Sequence, residues 1–97
     1  MSTLAELSIF PLDKGESLSP YVAKVIKVIQ ASGLAYELTP MGTCLEGEFT
    51  QVMQTVQNCF HVLEPECKRI YLSLKIDYRK NRTNGLKQKI ESIVKKI

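Results

Sequence analysis

Residues 34–63 read LAYELTPMGTCLEGEFTQVMQTVQNCFHVL, and the architecture of the chain depends on the change of pattern within them. Apolar and polar residues alternate over 34–39 and again over 43–47, which is the two-residue period of a strand. The short connection at residues 40–42 joins these strands, so the segment predicts a β-hairpin. Over residues 48–63 the apolar side chains instead recur every three or four positions, which predicts an amphipathic helix.

A strand and a helix are predicted on the N-terminal side of this segment. Residues 3–10 alternate between apolar and polar side chains, as a strand does. Apolar residues at helical spacing follow from about residue 19 to residue 32. Ser19 suits the helix N-cap, Pro20 the first helical position and Gly33 the C-terminal cap.

The C-terminal side predicts one more strand and one more helix. Residues 69–79 form the longest alternating run, with Ile70, Leu72, Leu74 and Ile76 expected to face the core. Residues 80–84 are a polar loop in which Thr83 or Asn84 could cap the next helix. Apolar residues spaced along 86–97 define this final amphipathic helix, which has a lysine-rich back.

The predicted order is β-α-β-β-α-β plus a C-terminal helix, which is the ferredoxin-like, split β-α-β pattern of an α+β fold. We expect residues 1–97 to form one domain with an antiparallel sheet, the first and third strands being central. The two long helices each have one apolar stripe, so both should cover the same face of the sheet. The other face is therefore expected to be open.

The side chains assigned to the open face combine apolar, aromatic and acidic groups. They are Leu4, Glu6, Ser8, Phe10, Ala35, Glu37, Thr39, Cys44, Glu46, Tyr71, Ser73, Lys75 and Asp77. Glu6, Glu37 and Glu46 lie on three strands, so a cation or a group with N–H donors would relieve their repulsion. The alternative is structural, because Glu6 and Lys75 lie on neighbouring strands and opposite charges pair across strands.

The charge of the chain is divided unevenly along its length. The net charge is +3, yet residues 79–97 carry +6 and residues 1–78 carry −3. This division predicts a solvated basic C-terminal segment and an acidic sheet face turned toward a cationic ligand. Weak nucleic-acid binding through the basic segment remains an alternative, although no aromatic residues are interleaved with its lysines.

No catalytic motif is evident in the sequence, so we expect no enzymatic activity. The chain contains no phosphate-binding glycine loop and no nucleophile elbow, and His61 lies off the apolar stripe of its helix. Its three cysteines lack the paired spacing of a zinc site, so no metal is expected. The sequence has no signal-peptide pattern and no apolar run long enough for a bilayer, which predicts a cytoplasmic protein.

Three segments resemble the small thiamine-binding proteins of ferredoxin-like fold, a family long catalogued as having no known function. They lie at residues 15–23, 36–48 and 75–79, and the resemblance extends over nearly the whole chain. The most specific part is the Pro-Met-Gly-Thr-x-x-Glu-Gly-Glu block at residues 40–48. The loop at residues 64–68 departs from the family pattern, which has a glycine just before the Arg-Ile pair.

The resemblance implies non-enzymatic binding of thiamine or a related hydroxymethylpyrimidine compound, with thiamine as ligand and no further cofactor. It also implies homo-oligomers, dimers or dimers of dimers, with ligand at the sheet face or a subunit boundary. The candidate ligand-binding residues are Thr43, Ser8 and Thr39 for hydroxyl contacts, Glu46 for the pyrimidine edge, Phe10 for ring stacking, Glu6 for the cation and Arg79 for a phosphate. A structural or regulatory homo-oligomer without a small-molecule ligand remains the main alternative.

Overall fold

A computed structural model describes residues 2–97, and the elements follow one another in the predicted order. They are β1 (Ser2–Pro11), α1 (Ser19–Ser32), β2 (Ala35–Thr39), β3 (Gly42–Gly47), α2 (Phe49–Leu63), β4 (Ile70–Arg79) and α3 (Gly85–Val94). The strands form one antiparallel sheet in the order β2-β3-β1-β4. This topology confirms the ferredoxin-like α+β prediction.

The core lies between the sheet and the two long helices. Ala5, Leu7 and Ile9 of β1 are buried, whereas Glu6 between them is exposed, which is the alternation predicted from the sequence. The helices contribute Val25, Ile29, Val52, Val56, Cys59 and Leu63, all buried. Each fully buried aliphatic side chain contributes about 1.5–3 kcal/mol, so this cluster provides most of the driving force for folding.

The outer strands receive less cover than the sequence suggested. Leu72 and Ile76 pair with Ile9 and Ala5 and so lie on the helix-facing side, yet they remain 39% and 40% exposed. Leu38 on β2 is 63% exposed. The two helices pack mainly over the central strands β1 and β3. On the edge strands, Tyr36, Ile70 and Leu74 are half-buried against the core, whereas Leu38, Leu72 and Ile76 are exposed.

Two of the predicted helix caps differ from those in the structure. Helix α1 already begins at Ser19, so Leu18 occupies the cap position and no side-chain hydrogen bond closes that end. At the other end Gly33 adopts φ 76°, the left-handed conformation that favours glycine, as predicted. Asn84 occupies the cap position of α3 with φ 56°, but its side chain makes no capping bond.

Helix α3 lies against the sheet face that was expected to be open. It contacts β1 and β3, so one end of this face is covered within the single chain. The apolar seam of α3 nevertheless remains accessible, because Ile90 is 54% and Ile93 63% exposed. Among residues 2–97, no helix is long and apolar enough to cross a bilayer.

Candidate functional site

A cavity of about 250 Å³ lies between the N-terminal half of α1 and the β2–β3 hairpin, and we call it the hairpin cavity. Four of the predicted ligand-binding residues line it, namely Ser8, Phe10, Thr39 and Thr43. The pairing of β1 with β3 places Leu7 opposite Thr43, and Ser8 and Phe10 follow along β1. Because side chains alternate along a strand, the side chains of Ser8 and Phe10 turn to the sheet face opposite to that of Thr43. The connection at residues 40–42 forms part of the wall.

Thr43 is the most enclosed polar residue of this cavity. It pairs with Leu7 on one side and Leu38 on the other, which turns its side chain toward the helices, and it is only 4% exposed. Its hydroxyl makes no hydrogen bond to another residue in the described part of the chain. A threonine hydroxyl can both donate and accept a hydrogen bond, so Thr43 offers an unused donor and acceptor at the wall of the cavity. Among the described residues, the fully buried hydroxyl without a partner is instead that of Thr3.

The turn of the hairpin is held closely against β1. The Thr39 hydroxyl donates a hydrogen bond to the Gly42 carbonyl oxygen at 2.8 Å. A Cβ atom on Gly42 would lie 2.7 Å from the carbonyl oxygen of Leu7, so only glycine fits this close approach. The cavity wall is thereby fixed by backbone contacts.

The remaining lining of the hairpin cavity is apolar. Leu18, Val22 and Val25 form the helix side, and Leu38 and Met41 lie at the rim. Met41 is 84% exposed, so the rim presents apolar surface to solvent. No charged side chain among residues 2–97 lines this cavity.

A second cavity, of about 390 Å³, lies between α3 and the opposite face of the sheet. Glu6 lines it and forms the expected ion pair with Lys75 at 3.0 Å, and a role of Glu6 in binding a cationic ligand stays a prediction. Lys89 of α3 forms an ion pair with Asp77. Burial raises the pKa of the Cys44 thiol, and the neighbouring carboxylates of Glu6 and Glu37 raise it further. The protonated thiol is therefore favoured.

Glu46 holds the N-terminus of α3. One carboxylate oxygen accepts a hydrogen bond from the Gly85 amide at 2.6 Å, and the other accepts one from the Leu86 amide at 3.3 Å. Partial burial disfavours the charged form, but these amides, with Ser2 and Arg82, outweigh that effect and lower the pKa of Glu46. A role of Glu46 in binding the pyrimidine edge of the ligand stays a prediction. Both carboxylate oxygens of Glu46 already accept hydrogen bonds from amides of α3.

Arg82 is an important residue that the sequence did not reveal. It was assigned to the solvated basic segment, yet it is only 6% exposed. Its guanidinium donates to the Ser2 hydroxyl and carbonyl at 2.8 and 3.2 Å and to the Asp77 carbonyl at 2.7 Å. It also pairs with the Asp77 carboxylate at 3.2 Å. Arg79, in contrast, is exposed to solvent at the end of β4, where it pairs with Ser2 of β1. It lines neither cavity.

Comparison with known proteins agrees with the resemblance seen in the sequence. The chain matches the family described as thiamine-binding protein over residues 5–94. It belongs to this family. A UPF0045 protein of Methanocaldococcus jannaschii is 38% identical over 90 residues, covering 93% of this chain and 90% of that protein. A UPF0045 protein of Methanothermobacter thermautotrophicus is 38% identical over 96 residues, covering 96% of this chain and 97% of the relative.

Solved structures of family members share the fold. The crystal structure of a hypothetical protein of M. jannaschii superposes with a TM-score of 0.89 at 36% identity, and the match covers 96% of each chain. A Thermotoga maritima protein, described as a candidate for thiamine biosynthesis or salvage, gives a TM-score of 0.82 at 28% identity. That match covers 96% of this chain and 99% of the other. These likenesses establish a thiamine-related family for this chain.

Proposed function

We propose that this thiamine-binding family member binds thiamine, or a related hydroxymethylpyrimidine compound, in the hairpin cavity without transforming it. The observation that carries the proposal is a convergence of two independent features. Residues 40–43 begin the most specific block of the family resemblance, and they line the same cavity as Ser8 and Phe10. The hydroxyl of Thr43, which has no partner in the described chain, lies in this wall.

The chemistry of the cavity suits an aminopyrimidine ring. Apolar side chains of α1 would pack on the ring faces, and a few placed polar groups would fix its orientation, as is usual in small-molecule sites. The Thr43 hydroxyl can donate to a ring nitrogen or accept from an exocyclic amine. The Phe10 ring stacks on the ring of Tyr71 with centroids 5.6 Å apart, so stacking of Phe10 on the ligand stays a prediction.

Calorimetric titration with thiamine tests the proposal, with Thr43→Val as the informative variant. Valine keeps the shape of threonine but removes the hydroxyl, and one lost hydrogen bond of about 1.4 kcal/mol corresponds to a tenfold weaker affinity. Thr50→Val on the exposed start of α2 is the matched control and should bind as the wild type does. Absence of saturable heat with both thiamine and hydroxymethylpyrimidine would refute the proposal. Equal weakening by both variants would refute the assignment to this cavity.

A further inference from the structure

A third cavity, of about 200 Å³, lies at the end of the sheet where α2 begins, and we call it the α2 cavity. It is lined by Thr3 of β1, Tyr78 of β4, and Glu48, Phe49 and Thr50 at the start of α2. Thr3 lies near the start of β1, whereas Ser8 of the hairpin cavity lies near its end. The two cavities are therefore about 15 Å apart along the strand.

The hydroxyl of Thr3 is buried at the wall of the α2 cavity. Its side chain lies on the helix-facing side of β1, in alternation with exposed Glu6, and the residue is 0% exposed. The hydroxyl oxygen makes no hydrogen bond within residues 2–97. Buried polar groups in proteins nearly always have a partner, so this exception points to a group that binds in the cavity. A cavity of this size has room for more than one water molecule, which takes about 30 Å³ in the liquid.

The first turn of α2 adds backbone donors at the same place. Its first backbone hydrogen bond runs from the Val52 amide to the Glu48 carbonyl at 2.9 Å. The amides of residues 49–51 precede that bond, and no side chain of the described chain caps this end of the helix. Such amides and the helix dipole together attract anions. At α3 the same need is met within the chain, because the Glu46 carboxylate accepts from the first two amides of that helix.

We propose that the α2 cavity binds a small oxyanion, a phosphate or a carboxylate group. The oxygens of the anion accept hydrogen bonds from the amides of residues 49–51 and from the Thr3 hydroxyl. The fold fixes both kinds of donor before the anion binds, since Thr3 belongs to a central strand and the amides belong to a regular helix. This site is separate from the hairpin cavity and does not depend on thiamine.

The charges around the α2 cavity act in opposite directions. Arg79 and Lys80 follow Tyr78 directly in the chain and form no ion pair among residues 2–97, so they add positive potential near this end of the sheet. Glu48 lines the cavity, and its exposed carboxylate repels an anion. Recognition must therefore come from the amides and the hydroxyl, and removal of the Glu48 charge should strengthen it.

Nuclear magnetic resonance of the ¹⁵N-labelled chain titrated with sodium phosphate tests this site, with the ionic strength held constant by sodium chloride. Saturable shift changes are expected at the amides of residues 49–51. Thr3→Val keeps the shape of threonine but removes the hydroxyl, so it should weaken phosphate binding about tenfold, as the loss of one hydrogen bond does. This variant should fold at least as stably as the wild type, because it removes a buried polar group without a partner. Thr83→Val, at an exposed position of the loop before α3, is the matched control.

Two further titrations test the charge and the chemical group of the ligand. Glu48→Gln should strengthen phosphate binding about two- to fivefold, because it removes one exposed like charge. Weaker binding by Glu48→Gln would contradict an anionic ligand. Sodium acetate in place of phosphate separates the two sources of an oxyanion, since the anion with the lower dissociation constant identifies the group as a phosphate or a carboxylate.

The outcomes for the α2 cavity separate clearly. Saturation at residues 49–51 that is weakened by Thr3→Val but not by Thr83→Val supports the site. No saturation there with either anion, or equal affinity of the wild type and Thr3→Val, would overturn it. Shift changes confined to the lysine-rich residues 87–96 would also overturn it, because they would report attraction to exposed cations alone. None of these results involves thiamine, so this inference and the proposed function fail separately.

Discussion

At the scale of single residues, the attachment of α3 depends on two charged side chains with unusual surroundings. Glu46 reaches from β3 to the first amides of α3, where the helix dipole favours a negative charge. Arg82 is buried between the N-terminus of β1 and the C-terminal part of β4. A Cβ on Gly85 would lie within 3 Å of both side chains, so a larger residue there would have to displace Arg82 and Glu46 from these contacts.

Glu46→Gln should lower the free energy of unfolding by about 1–2 kcal/mol at neutral pH, as the loss of a charged helix cap does. Because the fold lowers the pKa of Glu46 from its ordinary 4.5, its contribution is complete above pH 4.5 and disappears as the pH falls through the lowered value. Urea unfolding at neutral and acidic pH should show that the difference in free energy of unfolding between Glu46→Gln and the wild type becomes smaller in acid. Glu48→Gln, whose residue makes no capping bond, is the control. A difference that is constant with pH would contradict this role for Glu46.

Arg82→Ala should cost more, about 2–4 kcal/mol, because it removes buried hydrogen bonds to Ser2 and to the Asp77 carbonyl and leaves the Asp77 carboxylate with one fewer cation. Chemical denaturation monitored by circular dichroism measures this loss. Lys80→Ala, at an exposed position of the same loop, should change stability by less than about 0.5 kcal/mol. Similar losses of stability in Arg82→Ala and Lys80→Ala would show that the buried contacts of Arg82 do not stabilise the fold.

At the scale of the elements, the sequence predicted all seven in order, because each carries a clear hydrophobic period. The sharing of a cavity by Thr39, Thr43 and Ser8 was not predictable, since it arises from the antiparallel pairing of distant strands. The cap of α3 was missed for a similar reason. Its carboxylate comes from Glu46, 39 positions before Gly85, and local patterns carry no signal for such a contact.

The hairpin turn offers a test of how backbone packing shapes the candidate site. Gly42→Ala would place a Cβ 2.7 Å from the Leu7 carbonyl oxygen and should push the β2–β3 hairpin away from β1. We expect a stability loss of about 1–3 kcal/mol, as for other overpacked sites, together with weaker thiamine binding. Gly33→Ala, which has open space but φ 76°, should cost about 1 kcal/mol and leave binding unchanged. Unchanged binding by Gly42→Ala would contradict the assignment of the cavity.

At the scale of the whole molecule, the structure changes the interpretation of the uneven charge. The positive segment is not simply solvated, because Arg82 is buried and Lys89 is paired with Asp77. The acidic sheet face is likewise partly neutralised, since Glu6 pairs with Lys75 and Glu46 caps α3. The hairpin cavity, which we propose as the thiamine site, lies apart from both charged regions.

Thiamine binding should therefore depend little on ionic strength. Raising the salt from about 0.05 M to about 0.5 M shortens the screening length several-fold and weakens contacts between exposed charges. Because the hairpin cavity has no charged lining in the described chain, we expect the dissociation constant to change by less than about threefold. Titration calorimetry at the two salt concentrations measures this change. A tenfold weakening would favour recognition of the cation by the acidic sheet face instead.

The most direct test of the central claim is nuclear magnetic resonance of the ¹⁵N-labelled chain titrated with thiamine. If the ligand occupies the hairpin cavity, the largest amide shift changes will fall on residues 38–43 and on residues 18–25, which form the cap and the first half of α1. Changes concentrated on residues 75–90, around α3 and the opposite sheet face, would contradict the assignment.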